Sequence, residues 1–167
     1  MTPNAAGREM KNSRAEYSEL AMPNDANPLG SLFGGKVMAL VDLCASIAAH
    51  RHARCAVVTA SIDHMNFLYP VRIGELVTCY SQVNRVFRTS MEVGVRVMVE
   101  NMSTGERRHT STAYLTFVAL GPSGERVPLP PVIPETEDEH RRFDEALLRR
   151  DARLELRKRA IEGRKMA

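Results

Sequence analysis

The chain has 167 residues, 44% of them hydrophobic and 26% charged, with a formal net charge of +3. That is the length of one domain with a substantial core, and no apolar run is long enough to span a bilayer. A charge this mild, with no tryptophan and few other aromatics, argues against the concentrated basic, aromatic-studded face of a nucleic-acid binder.

The N-terminus carries no apolar run of the kind found in a secretory signal, and residues 1–13 read as a flexible arm. Residues 15–22 suit a short strand, and the stretch from Pro23 to Gly30 is dense in turn formers. The apolar run 37–49 follows the glycine pair Gly34-Gly35 and predicts a helix from about Gly35 to Arg51, buried on most sides. Residues 56–67, 75–84, 88–100 and 108–120 then read as strands. The third is the clearest. Met91, Val93, Val95, Val97 and Val99 face one way, with Glu92, Arg96 and Glu100 on the other, which is the period of a strand with one buried face. Turns at 101–105 and 121–124 bound the last strand. A stiff proline-rich linker spans 128–136, and a charged helix occupies 137–167. Its acids (Glu137, Asp138, Glu139) come first and its bases (Arg157, Lys158, Arg159) last, an order that suits the helix dipole. Its thin apolar stripe (Phe143, Leu147, Leu154, Ile161) predicts a solvated helix docked lightly on the body; an inter-subunit contact is the sharper alternative.

One helix followed by successive antiparallel strands gives an α+β domain over 14–127, with the helix on one sheet face. A single helix cannot cover a sheet of five or more strands, so a second copy of the chain is expected to supply the rest, in an obligate dimer.

Asp42 is the sole carboxylate of the apolar run. A buried acid must be paired, protonated or used, so Asp42 reads either as a cap or ion-pair partner or as a catalytic group. The glycines upstream leave the first helical N–H groups open to partial negative charge, which would put an electropositive end and a carboxylate at one reaction centre. Asn27 reads either as an Asx turn before Pro28 or as an amide that orients water or a carbonyl. Cys44, Cys55 and Cys79 are an odd set without CxxC spacing, expected as reduced core residues of a cytoplasmic protein. The histidines show no metal-ligand spacing; His50 and His52 read as surface caps of the helix end, and Asp63 and His64 as surface or interface residues on a strand. No GxSxG elbow and no glycine-rich phosphate loop is present.

Asn27-Pro28-Leu29-Gly30-Ser31-Leu32-Phe33-Gly34-Gly35, Asp42, Val58-Thr59-Ala60, the segment from Asn66 to Glu75 and Arg88-Thr89-Ser90-Met91-Glu92-Val93 together closely resemble the hotdog-fold acyl-CoA thioesterases, of the cytosolic hydrolase type and its small bacterial relatives. The resemblance covers about residues 15–130. It implies a long central helix wrapped by a curved antiparallel sheet, paired into a double-hotdog dimer with active sites at the pair's interface, commonly in a trimer of dimers. It places the catalytic asparagine on Asn27 and the helix carboxylate on Asp42, from opposite subunits. It places substrate contacts at Phe33, Gly34, Thr59, Arg88, Thr89 and Ser90, the last three as a CoA-contacting strand.

The implied reaction is hydrolysis of an acyl-CoA to free acid and coenzyme A, without metal or resident cofactor, membrane insertion or nucleic-acid partner. A backbone N–H near Gly35 would polarise the carbonyl. Asp42 would act as general base or as nucleophile, and Asn27 would orient water or carbonyl. The arginine at 88 suits bidentate phosphate contact and reads equally as an exposed strand arginine. The alternative from another class is a non-catalytic acyl-CoA-binding or sensing protein on the same fold.

Overall fold

The computed structural model describes residues 6–165. Five strands form one antiparallel sheet: β2 (Ala15–Leu20), β3 (Ala56–Ile62), β4 (Leu76–Phe87), β5 (Ser90–Glu100) and β6 (Arg107–Leu120), in spatial order β2-β4-β5-β6-β3. The helix α1 (Gly34–Ala53) enters the chain between the sheet's two outermost strands, β2 and β3. It packs on the face where Val93, Val95, Val97, Leu115 and Phe117 are buried. This is the expected hotdog architecture. The expected strand 56–67 ends early, at Ile62, because the chain leaves the sheet at Asp63.

α1 buries Val37, Leu40, Val41, Cys44, Ala45, Ala48, Ala49 and His52, an i, i+3, i+4 series along one face. The thiol of Cys44 meets the Cys79 carbonyl of β4 at 3.2 Å, and the Ser81 hydroxyl donates to the Cys44 carbonyl at 2.8 Å. Burial pushes the Cys44 thiol up and the Cys79 thiol up to about 12, so both stay protonated and inert. Burial on most sides is not what the single chain shows. Met38 and Leu43, on the opposite face, are 39% and 44% exposed, because one sheet has only one face to offer the helix.

The outer sheet face departs most from expectation. Glu92, expected with Arg96 among exposed residues, is fully buried, because helix α2 (Glu137–Lys165) lies over it. Arg149 Nη2 and Nε reach the two Glu92 oxygens at 2.7 and 3.3 Å, a fork-like pairing. Arg153 adds contacts at 3.2 and 3.3 Å and bridges to Asp63 at 2.6 Å. The Arg149 guanidinium stacks 3.6 Å from the Tyr114 ring centroid. The helix starts with a capping box: Thr136 Oγ1 accepts from the Glu139 N–H at 3.2 Å, and Glu139 Oε2 accepts from the Thr136 N–H at 3.3 Å. Burial opposes ionisation of Glu139, but bonds from the Glu135 N–H, Gln82 and the Thr136 N–H, with the Arg14 charge, outweigh it and hold the carboxyl below its ordinary value. The first half of α2 is therefore an integral layer. From Leu154 to Glu162 the side chains are exposed, and the solvated character expected of the helix applies there.

The expected flexible arm is also corrected over residues 8–13. β1 (Arg8–Glu9) pairs in parallel with β7 (Val132–Ile133), inside the expected linker. The 3-10 turn Met10–Ser13 buries Met10 completely, and the Ser13 hydroxyl accepts from the Val83 N–H at 2.9 Å. Residues 1–5 lie outside the described residues.

His52 is likewise no surface cap. It is 2% exposed, and its Nε2–H donates to the Pro130 carbonyl at 2.9 Å. Burial holds its pKa below the ordinary 6.5, outweighing that bond. The unfolded chain therefore binds the proton more readily. The contribution of His52 to stability is full above about pH 6.5 and is lost as pH falls through the folded-state value. We expect the melting temperature to decline from about pH 7 to about pH 5, and His52→Gln to flatten that slope in a thermal-denaturation series. An unchanged slope in the variant would remove His52 from the account.

Candidate active site

The loop before α1 is fixed by Asn27. Its Oδ1 accepts from the Leu29 N–H at 2.9 Å and the Ser31 N–H at 3.2 Å, while its own N–H reaches the Ser31 carbonyl at 2.7 Å. The Asx turn expected as the plain role of Asn27 is present. It commits the side-chain oxygen to the loop and leaves the Nδ2 amide as the available donor. Gly30, at φ +76°, turns the loop tip. The chain returns through Leu32, whose N–H meets the Val71 carbonyl at 2.8 Å.

Phe33 is the N-cap of α1 and has no side-chain acceptor to offer. The Lys36 and Val37 N–H groups reach the Phe33 carbonyl at 2.9 and 3.3 Å. Among the described residues no acceptor meets the Gly34 or Gly35 N–H. These two donors, at the positive end of the helix dipole, are therefore open to a ligand oxygen. Two rings flank them. A Cβ on Gly35 would collide with the Phe33 ring, and one on Gly34 would lie 3.6 Å from Phe67.

Asp42 lies on the stripe Gly35-Ala39-Asp42-Ser46, at the margin of the helix's contact with the sheet, beside the edge strand β3. It is half-buried rather than buried. Its Oδ1 accepts from the Thr59 hydroxyl at 2.7 Å, and among the described residues Oδ2 has no hydrogen-bond partner. Thr59 is placed by β3, whose register shifts between Thr59 and Ser61. Such a bulge re-aims side chains. Thr59, expected as a substrate contact, is thus first a partner of Asp42.

Seven residues at a rise of about 1.5 Å put Asp42 roughly 10 Å along the axis from Gly35. That separation corrects the expectation that one helix presents both groups to one centre: a carbonyl carbon about 3 Å from one cannot reach the other. No hydrogen bond joins Asn27 to Asp42 within the chain either. Two hollows of about 630 and 640 Å³ line the outer face beside α2, and neither includes Asn27, Gly35 or Asp42.

Arg88, Thr89 and Ser90 do not begin a strand together. Arg88 and Thr89 form the β4–β5 turn, with Arg88 exposed at φ +56°, and Ser90 starts β5. The Arg88 carbonyl accepts from the Leu129 N–H at 2.7 Å and that of Thr89 from the Ala119 N–H at 3.0 Å. No hydrogen bond links the three to Asp42. Among the described residues no group of three His, Cys, Asp or Glu is placed to hold a metal ion, and no helix is long and apolar enough to cross a membrane.

The Thioesterase superfamily profile matches residues 29–106. Over 132 residues the chain is 46% identical to an uncharacterized acyl-CoA thioester hydrolase of Bacillus subtilis, spanning 79% of this chain and 77% of that one. The chain belongs to the thioesterase superfamily. Among solved structures, this thioesterase-superfamily chain is 42% identical to a hexameric acyl-CoA thioesterase, with TM-score 0.87 over 93% of this chain and 97% of that one. It is 34% identical to an acyl-CoA hydrolase of Staphylococcus aureus in complex with butyryl coenzyme A, coenzyme A and coenzyme A disulfide, with TM-score 0.83 over 93% and 96% of the two chains. Alanine variants of the Staphylococcus aureus enzyme at an asparagine, an aspartate and a threonine also have solved structures.

Sequence reading did not give Phe67 a place at the helix start. Its signal was present, in an aromatic before Tyr69-Pro70, but nothing linear says that this segment returns to Gly34.

Proposed function

We propose that this chain hydrolyses acyl-CoA thioesters to free acid and coenzyme A, at sites each assembled from two copies. The observation that carries the reading is the arrangement of α1. It has an open pair of N–H donors at Gly34 and Gly35, and a threonine-held carboxylate at Asp42 on the same stripe, too far off to share a centre. Two antiparallel copies of α1 about a twofold axis bring the donors of one to the carboxylate of the other. The exposed apolar Met38 and Leu43 on the same side of α1 supply the contact.

The N–H groups take the thioester carbonyl oxygen as negative charge grows on it, with the Asn27 Nδ2–H beside them. Asp42 Oδ2 from the other copy removes a proton from water, which attacks the carbonyl carbon and expels the CoA thiolate; Thr59 fixes which oxygen does so. Direct attack by Oδ2 to form a mixed anhydride uses the same geometry. No resident cofactor is needed, since coenzyme A arrives with the substrate. The exposed Arg88 turn, beside the end of β6, is available for the CoA phosphates. The hexameric relative supports a trimer of dimers, and the inert thiols fit a cytoplasmic setting.

The test mixes two inactive variants. Asn27→Ala and Asp42→Asn subunits are co-refolded in equal amounts and thiol release from an acyl-CoA is followed. In a mixed dimer one site carries both substitutions and the other neither, so activity should recover to about a quarter of wild type. Sites contained within one chain would give no recovery.

A further inference from the structure

We propose that Arg153 of α2 is a positioning residue for the active site, acting through Asp63 on the segment that carries Thr59 and Phe67. The proposal rests on the hydrolase reading of that site. Among the described residues β3 is the last strand of the sheet, bonded only to β6, and it is broken by the register shift after Thr59. A bulged edge strand is weakly held by its ladder. Beyond Ile62 the chain runs without regular structure to Phe67. Asp63 sits between the two site residues, four from each.

Three tethers join this segment to β6: the Asp63 N–H to the Tyr114 carbonyl at 2.9 Å, the Leu68 N–H to the Thr110 carbonyl at 2.9 Å, and the Ser111 hydroxyl to the Asn66 carbonyl. The tether from outside the sheet is the Arg153 Nη1–Asp63 Oδ2 pair at 2.6 Å, with side chains 23% and 15% exposed. Arg153 is itself fixed by the fully buried Glu92, which Arg149 also grips from one turn earlier on α2. A chain of charge-assisted contacts thus runs from the middle of the outer face, through α2, to the strand end that presents Thr59 to Asp42 Oδ1 at 2.7 Å. If β3 shifts, the Thr59 hydroxyl no longer selects the Asp42 oxygen, and Phe67 loses its place over Gly34. A misplacement of about 1 Å is enough to lower turnover markedly.

The experiment uses full-length Arg153→Ala, Arg153→Lys and Asp63→Asn. It measures kcat and KM for short and long acyl-CoAs, amide hydrogen exchange over 56–69, thermal melting and oligomer size. Expected for Arg153→Ala is a fall in kcat of about tenfold with KM within about twofold. Exchange should rise across 59–67 beyond the rest of the chain and oligomer size should hold, while melting falls less than in Glu92→Ala because Arg149 still pairs Glu92. Arg153→Lys should recover most of the kcat, and Asp63→Asn should match Arg153→Ala. Wild-type kcat in Arg153→Ala overturns the proposal, as does a kcat loss that only tracks lowered melting. If the wild-type protein releases no thiol, the hydrolase reading fails separately. Exchange then decides: a rise confined to 59–67 supports the positioning role and unchanged exchange overturns it.

Discussion

Asp42→Asn should lower kcat/KM for acyl-CoA hydrolysis by about 10²–10⁴-fold, the range of a lost general base. The substitution is close to isosteric. The Thr59 hydroxyl, now 2.7 Å from Oδ1, can still donate to the amide oxygen, so the side chain keeps its position. What is lost is the second oxygen as a proton acceptor: an amide in that place can donate but cannot take a proton from water. Asp42 is half-buried at the margin of the helix–sheet contact, outside the apolar core, so neither the core nor the melting temperature should suffer. Thiol release from acyl-CoAs, measured beside melting and oligomer size, checks this. Near-wild-type hydrolysis across several acyl-CoAs by a correctly assembled Asp42→Asn protein would sink the assignment.

The largest structural effect is expected at Glu92. Its removal in Glu92→Ala leaves Arg149 and Arg153, only 21% and 23% exposed, facing a void. It also strips Asn84 Nδ2 of its acceptor at 3.1 Å. Breaking such a pair by deleting one partner costs about 3 kcal/mol or more, because the remaining charges stay poorly solvated. For a chain of this size that is a fall of roughly 6–12 °C in melting temperature, compared at fixed protein concentration because assembly also contributes. Glu92→Gln, which keeps an acceptor for Asn84 and one guanidinium, should lose less. Equal melting of Glu92→Ala and wild type would mean that α2 is held by its apolar contacts alone.

The sequence was legible where local periodicity meets one buried face. The alternation from Met91 to Val99 reports an inner sheet face, and the run after Gly34-Gly35 reports that α1 is a helix, though not how much of it the chain covers. The acid–base order of 137–165 likewise marks α2. Failures fall where a polar residue's burial depends on a distant segment. Glu92 looks exposed by period, His52 looks like a helix-end cap, and residues 8–13 look free. Each is covered by chain far away in sequence, by α2, Pro130 and Val132–Ile133 respectively. Period records which side of a strand a residue takes, and nothing in it records whether a second layer lies there.

The candidate site divides along the same line. Residue chemistry and order by themselves picked out an amide loop, an uncapped glycine-started helix and a lone carboxylate in an apolar run as candidates for one site. Those features are local, and their spacing is fixed by the chain. Only the tertiary structure decided that Asp42 leans on Thr59 and that Phe67 returns to Gly34. The reason is geometric. A helix advances about 1.5 Å per residue, so neighbours in a motif can stand too far apart for one bond. Residues on separate strands can meanwhile meet at hydrogen-bond distance.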